Sequence, residues 1–244
     1  MTPREFDFRE GEVLAFDKPL GWTSFQLVGR VRRELCRKLG VKKLKVGHAG
    51  TLDPLATGVM IVCTGKATKR IESLQRGSKE YRATLRLGAT TASYDLEKPV
   101  DAEYPYEHIT EETARAALRR FEGEIDQVPP VFSAVKVDGR RAYDYARKGR
   151  EVAMRPKRVT IEEIELTGFR LPEMDIRVRC GKGTYIRSLA RDIGEALGSG
   201  AHLTALRRTR VGDTGEADCL GFDEFLRLLD GEWTLASTDN QKTT

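Results

Sequence analysis

The stretch Gly47-His48-Ala49-Gly50-Thr51-Leu52-Asp53-Pro54-Leu55-Ala56-Thr57-Gly58 concentrates residue types that do chemistry. Its glycines let backbone approach a ligand closely. Asp53 is its one carboxylate, and a carboxylate on a rigid, half-buried loop serves as a nucleophile or a base. An Asp-Pro pair equally fits a plain turn, with Asp53 capping Leu55 or Ala56. The loop alone leaves both readings open.

Two further stretches bear on a ligand. Arg140, Arg141, Arg147, Lys148, Arg150, Arg155, Lys157 and Arg158 crowd together, interleaved with Tyr143 and Tyr145. Cations neutralise phosphates and aromatic faces stack on unpaired bases, so this run fits nucleic acid. It also fits a solvated helix with two tyrosines in the core. Gly181-Lys182-Gly183-Thr184 precedes a helical pattern but lacks the spacer and the Lys-Ser/Thr ending of an ATP loop. As a helix start it can meet a phosphate. No G-x-G-x-x-G follows a strand, which leaves dinucleotide cofactors unsupported.

Composition narrows the class. The chain has 244 residues with 39% apolar side chains and a net charge of +5. That length accommodates one large domain, or one domain with a small appendage, and buries a full core. Charge is uneven: +7 over residues 1–80, −4 over 81–130, +8 over 131–210 and −6 over 211–244. Basic blocks that meet in space make a field suited to a polyanion. The apolar run Val59–Cys63 is far shorter than the ~20 residues of a membrane span. The charged start Met1–Asp7 is unlike a signal peptide. Cys36, Cys63, Cys180 and Cys219 form no C-x-x-C pair, and no histidine stands at ligand spacing from a cysteine. A cytoplasmic protein with reduced thiols, no metal and no membrane contact is expected.

The elements that must position these residues follow from periodicity. Glu12–Asp17 alternates and predicts a strand. Thr23 with Gln26 resembles a capping box. Phe25, Val28, Val31, Leu35 and Leu39 recur at helical spacing up to Gly40. Short strands are expected at Lys43–Val46 and Val59–Thr64, and a helix at Lys66–Leu74. Glu80–Leu87 alternates as a strand, whereas Gly88–Glu107 reads as polar loop. Thr110 opens a helix ending near Phe121. Val131–Val137 predicts a strand, Asp138-Gly139 a turn and Arg140–Lys148 a basic helix. Val159–Phe169 and Met174–Cys180 predict paired strands across Leu171-Pro172. A helix at Thr184–Leu197, a strand at Leu203–Val211 and a helix at Asp223–Leu229 follow, with Ala236–Thr244 loose. Strands outnumber helices without a β-α-β rhythm. An α+β fold with a mixed, mainly antiparallel sheet flanked by helices is expected.

Read together, six ordered segments resemble the TruB family of tRNA pseudouridine-55 synthases. They are Val13–Ser24 with its Lys18-Pro19 pair, the loop Gly47–Gly58, and Lys79-Glu80-Tyr81. Next come Pro129-Pro130 through Ser133-Ala134, Lys136, Gly139, Arg141, Tyr143, Ala146-Arg147 and Gly149. Last come Lys182-Gly183-Thr184-Tyr185-Ile186-Arg187 and Gly200-Ala201-His202 to Leu206-Arg207-Arg208. The likeness spans about residues 12–211. It implies the pseudouridine-synthase fold, with a catalytic domain at 1–211 and a basic RNA-binding insertion near 125–158. Residues 212–244 are expected to be a short acidic segment without the full C-terminal RNA-binding domain of many members.

The resemblance also implies roles. Asp53 matches the essential aspartate, Arg187 the arginine paired with it, and Tyr81 the tyrosine that stacks on the target base. His48 matches the residue that fills the space left by the flipped uridine. Tyr185 and Leu206 match the base pocket. Lys18 is matched as structural support or a phosphate contact, and Arg141 and Arg147 as part of the basic grip on RNA. The loop after Gly88 departs from the family pattern. Where two aspartates around threonines are usual, it reads Ala89-Thr90-Thr91-Ala92-Ser93-Tyr94-Asp95, so only Asp95 remains. The implied reaction needs no cofactor, no metal and no guide RNA. The implied partner is the T-arm of tRNA, and a monomer is expected. A non-catalytic tRNA-binding folding chaperone on the same scaffold is the alternative.

Overall fold

The computed structural model describes residues 6–133, 135–137, 139–142, 145 and 153–231. In chain order the elements are β1 (Val13–Lys18), α1 (Ser24–Leu39), β2 (Val46–His48), β3 (Ala56–Thr64), a 3-10 turn at Gly65–Arg70 and α2 (Ile71–Leu74). Then come β4 (Lys79–Leu87), β5 (Ala89–Thr91), β6 (Val100–Glu103), α3 (Glu111–Arg119), β7 (Gly123–Gln127), β8 (Lys136–Val137) and β9 (Arg140–Arg141). The rest are β10 (Lys157–Arg170), β11 (Glu173–Cys180), α4 (Ile186–Ala196), β12 (Ala201–Val211), β13 (Thr214–Gly215) and α5 (Phe222–Asp230).

A nine-stranded sheet runs β1-β3-β12-β4-β11-β10-β7, with β2 added on β3 and β13 on β12. Its pairings are antiparallel except β12 beside β3. This is the mixed, mainly antiparallel sheet that the strand-rich pattern predicts. The apolar run of β3 is buried on both faces: Met60 and Val62 join the main core, while Val59, Ile61 and Cys63 join a smaller one. That is why it reads as continuous rather than alternating.

Helix α1 forms where its pattern predicts. The Gln26 amide donates to Thr23 Oγ1 over 3.0 Å and the Thr23 amide to Gln26 Oε1 over 2.7 Å, closing the capping box. Gly40 ends the helix in the left-handed conformation. Its Val28, Val31 and Leu35 are buried in the main core as the stripe predicts, joined by Leu27, each worth roughly 1.5–3 kcal/mol. Phe25, expected on the same face, is instead 75% exposed. The acidic segment after Val211 is built into the fold. The Leu220 amide donates to Ala15 O and the Asp17 amide to Leu220 O, and Phe225 packs edge-on against Phe16.

Several expectations need correction. The strand expected at Lys43–Val46 forms at Val46–His48, and β3 starts at Ala56, inside the predicted loop. The stretch expected to be polar loop contains the β5–β6 hairpin. Strand β7, which no apolar alternation announces, is held to β10 partly by Arg158, paired with Asp126 and Glu124. Of the strand expected at Val131–Val137, only Lys136–Val137 pairs, and its partner is Arg140–Arg141. The predicted basic helix therefore does not begin at Arg140, because the chain turns back there at Gly139 (φ +80°). Most of Tyr143–Lys148, with Arg147, and all of Ala236–Thr244 lie outside the described residues.

Candidate active site

Strands β2 and β3 run antiparallel, His48 opposite Val62, and the chain between them leaves the sheet carrying Asp53. Three buried side chains fix that excursion. Ser24 Oγ accepts from the Leu52 amide over 2.8 Å and donates to Leu52 O over 2.9 Å. Lys18 Nζ donates to Trp22 O (2.6 Å), Pro19 O (2.9 Å) and Pro54 O (3.4 Å). Arg208 donates from Nε to Val59 O (2.7 Å), from Nη2 to Gly50 O (3.2 Å) and from Nη1 to Thr51 O (3.4 Å). The loop's carbonyls are thus satisfied by two interior cations, and its path is rigid.

The two readings of Asp53 separate here. The turn uses its main chain, with the Ala56 amide donating to Asp53 O. The carboxylate is turned elsewhere: Arg187 Nε donates to Asp53 Oδ2 over 2.8 Å. Arg187 stands in the first turn of α4 and is buried. Its Nη1 donates to Ser93 O (3.2 Å) and its Nη2 to Phe132 O (2.9 Å). The buried Asp95 carboxylate lies 3.7 Å from its Nε. The Arg187 side chain is 5% exposed and that of Asp53 is 35% exposed. The guanidinium is therefore an interior fixture, and the carboxylate it holds faces solvent.

That solvent space is a cleft of about 360 Å³ lined by Asp53, Tyr81, Tyr185, Arg187, Leu206 and Arg208, with Lys79 and Lys182 at its wall. Neighbouring strands bring these groups together, with Tyr81 opposite Arg208 and Ala83 opposite Leu206 across β4 and β12. Burial pushes the Tyr81 phenol above its ordinary range, opposed by the nearby Arg208 charge. Tyr185 sits at the start of α4. Its amide donates to Gln127 Oε1 (2.8 Å), and Gln127 Nε2 donates to its carbonyl (3.1 Å). Burial pushes the Tyr185 phenol up as well.

His48 stands at the head of the same loop. Its buried Nδ1 has no partner among the described residues. Burial, helped by Arg208, pushes the imidazole below its usual value and keeps it neutral at pH 7. Lys18 is fully buried, its Nζ donating to the carbonyls of Trp22, Pro19 and Pro54, a placement that suits structural support better than contact with a phosphate. Arg141 pairs with Lys136 through its backbone; its side chain lies outside the described residues. Among the described residues no group of three or more His, Cys, Asp or Glu is arranged to hold a metal ion.

Residues 36–186 match the family profile described as TruB family pseudouridylate synthase, N-terminal domain. The chain belongs to the TruB family. Residues 187–235 match the profile of the tRNA pseudouridylate synthase B C-terminal domain. The Asp53–Arg187 pair therefore joins the two TruB segments. A protein of Phocaeicola vulgatus named tRNA pseudouridine synthase B is 67% identical over 92% of this chain and 95% of its own length. One of Bacteroides thetaiotaomicron with the same name is 63% identical over 96% of this chain and 99% of its own. Among solved structures, a Cbf5–Nop10–Gar1 complex matches with TM-score 0.67 and 32% identity, covering 91% of this chain and 54% of that chain. The TruB chain thus spans about half the length of that structural relative.

Three residues of this TruB site carry no role from the sequence. Arg208 shares a face of β12 with Leu206, and a charged side chain at an inward strand position was the available signal. Gln127 lies on the unannounced strand β7. Ser24 is hidden as an ordinary first-turn helix residue.

Proposed function

We propose that this protein converts the uridine at position 55, in the T-loop of tRNA, to pseudouridine, with Asp53 as the reacting carboxylate. The observation that carries the assignment is the Asp53–Arg187 pair. One solvent-facing carboxylate is held by a buried guanidinium at the floor of a cleft whose wall carries Tyr81. The reaction breaks N1–C1′, turns the freed uracil and joins C5 to C1′. The hydrogen on C5 leaves to solvent and N1 gains a proton. The step needs one carboxylate beside the ribose, either adding to C1′ or taking the C2′ proton.

A uridine inside a folded loop must leave its stack to reach Asp53. That costs a few kcal/mol, offset by stacking on an aromatic ring at about 1–3 kcal/mol per base. Tyr81 supplies that ring, with Leu206 and Tyr185 completing the pocket and His48 meeting the loop around the vacated position. Lys182, exposed at the cleft wall, is suited to the phosphate backbone, while the buried Lys79 and Arg208, tied to main-chain carbonyls, add only to the positive field of the cleft. Arg141 and Arg147 extend the grip to the T-arm.

The protein acts in the cytoplasm as a monomer and without a guide RNA. Its likeness to proteins named tRNA pseudouridine synthase B extends over nearly their whole length. A purely tRNA-binding chaperone is not favoured, because binding alone requires no carboxylate held by a buried arginine.

The test is tritium release from a tRNA transcript labelled at uridine C5. Wild type is expected to release about one hydrogen per tRNA, and Asp53→Asn none while still binding. Equal release by Asp53→Asn would remove the assignment.

A further inference from the structure

Tyr94 is the one non-glycine residue with positive φ (60°) among the described residues. A bulky side chain in the left-handed region is uncommon and persists only where surrounding contacts hold it. Those contacts come from three sides. Arg191 Nη1 donates to Tyr94 Oη over 3.2 Å, and the guanidinium carbon stands 5.0 Å from the ring centroid. The Leu203 amide of β12 donates to Tyr94 O over 2.9 Å. The Tyr94 amide donates to Thr91 O over 3.0 Å.

The left-handed step reverses the chain between Ser93 and Asp95, and both flank Arg187. Ser93 O accepts from Arg187 Nη1, and the Asp95 carboxylate lies beside Nε. Asp95 is fixed in turn, its carbonyl accepting from Thr91 Oγ1 (2.7 Å) and Ser93 Oγ (3.2 Å). Arg187 and Arg191 are one turn apart on α4 and face the same way. One helix face therefore grips this turn twice, Arg187 through Ser93 and Asp95, and Arg191 through Tyr94. Arg191 is itself anchored to Asp192 (2.8 Å from its Nε). Glycine would adopt this φ with no steric penalty. A tyrosine at such a position is accounted for by its ring and hydroxyl, not by the backbone.

We propose that Tyr94, tethered by Arg191, is a positioning residue that holds the Ser93–Asp95 turn against Arg187 and so aims the Asp53 carboxylate; the inference rests on the isomerase reading above. A turn that served stability alone would leave the chemical step untouched.

The test is single-turnover tritium release at saturating enzyme, with the tRNA Kd and the unfolding midpoint measured in parallel, on wild type, Tyr94→Gly, Tyr94→Phe and Arg191→Met. Tyr94→Gly retains the backbone turn and loses the tether. Its rate constant is expected to fall about tenfold, as for a slight misplacement of a catalytic group, with Kd within about twofold of wild type. Arg191→Met is expected to match it. The double variant Tyr94→Gly/Arg191→Met, measured in the same way, should be no slower than the slower single, because both remove one tether. Tyr94→Phe keeps the ring over Arg191 and should lose about two- to threefold. An unchanged rate constant in Tyr94→Gly overturns the inference, as does a double variant whose losses multiply or a loss confined to Kd. Should Tyr94→Gly fail to fold, Tyr94→Phe and Arg191→Met decide on the same criteria. Absence of release by wild type would instead remove the isomerase reading itself.

Discussion

Arg187 and Asp53, 134 positions apart, meet through a 2.8 Å hydrogen bond from Nε to Oδ2, and the remaining guanidinium nitrogens are held by the carbonyls of Ser93 and Phe132. The carboxylate is therefore aimed by a buried cation tied down at all three guanidinium nitrogens. Lysine presents a point charge on a flexible stem and cannot satisfy three acceptors in this planar arrangement. Arg187→Lys is expected to lower turnover about a hundredfold, as for a misplaced catalytic group, with tRNA affinity changed less than about threefold. Steady-state tritium release beside filter binding checks this; near-normal turnover would refute the aiming role.

Tyr81 lies in the cleft wall, with its phenol pushed up by burial. It therefore stays protonated through neutral and mildly alkaline pH. Tyr81→Phe keeps the stacking face and removes the hydroxyl. Binding within about twofold of wild type is expected, because stacking is a property of the ring. Turnover is expected to be lost with the hydroxyl, the group placed to handle the C5 proton. Turnover equal to wild type would reduce Tyr81 to a stacking platform.

Lys18 carries a pH signature. Its pKa is lowered to about 8, chiefly by burial, with Asp53 opposing. The unfolded value is near 10.4, so between about pH 8 and 10.4 the unfolded chain binds more protons than the folded one. Stability from this group rises with pH across that window, and the penalty is fully present below pH 8. The swing is on the order of 3 kcal/mol. Urea unfolding of wild type and Lys18→Met at pH 7.5 and 10 measures it. The stability of wild type relative to Lys18→Met should improve at the higher pH. A difference that does not move with pH would show that Lys18 is not held in this way.

Gly58 is where β3 passes β12 in parallel, with φ +98° and Arg208 O only 2.2 Å from the place a Cβ would occupy. Gly40 also has positive φ (+63°) but open space around it. Gly40→Ala should therefore carry only the conformational penalty, about 1 kcal/mol. Gly58→Ala must also displace a main-chain carbonyl of the strand that carries Arg208. A loss of about 3 kcal/mol is expected, lowering the melting temperature by roughly 6–12 °C in a chain of this size. Calorimetry on the two variants checks the contrast.

Basic side chains at the cleft and in the segment around Arg141 and Arg147 imply a salt-dependent grip on RNA. The logarithm of T-arm affinity should fall linearly with the logarithm of salt concentration. Arg147→Ala should weaken binding and reduce that slope by about one phosphate contact. A flat response in wild type would exclude an electrostatic grip.

Much of this protein is legible in residue order alone. The capping box and apolar stripe of α1, the alternation of β4, and the pairing of β10 with β11 follow from local periodicity, because each element's buried face recurs at its own repeat. The loop around Asp53 is conspicuous by residue type, and the family likeness supplies its partner Arg187. Tertiary structure decided the rest. Whether Asp53 spent its carboxylate on a turn or offered it to a cleft depended on a guanidinium from α4. The supporting roles of Lys18 and Arg208 depended on carbonyls brought to them by other segments. Strand β7 and the β5–β6 hairpin exist because neighbours pair with them, without an apolar rhythm of their own. The left-handed turn at Tyr94 is held by α4 and β12. A local pattern records what a segment buries. Which distant group satisfies a buried charge or carbonyl is settled only when the sheet closes and the low-dielectric interior demands a partner for each.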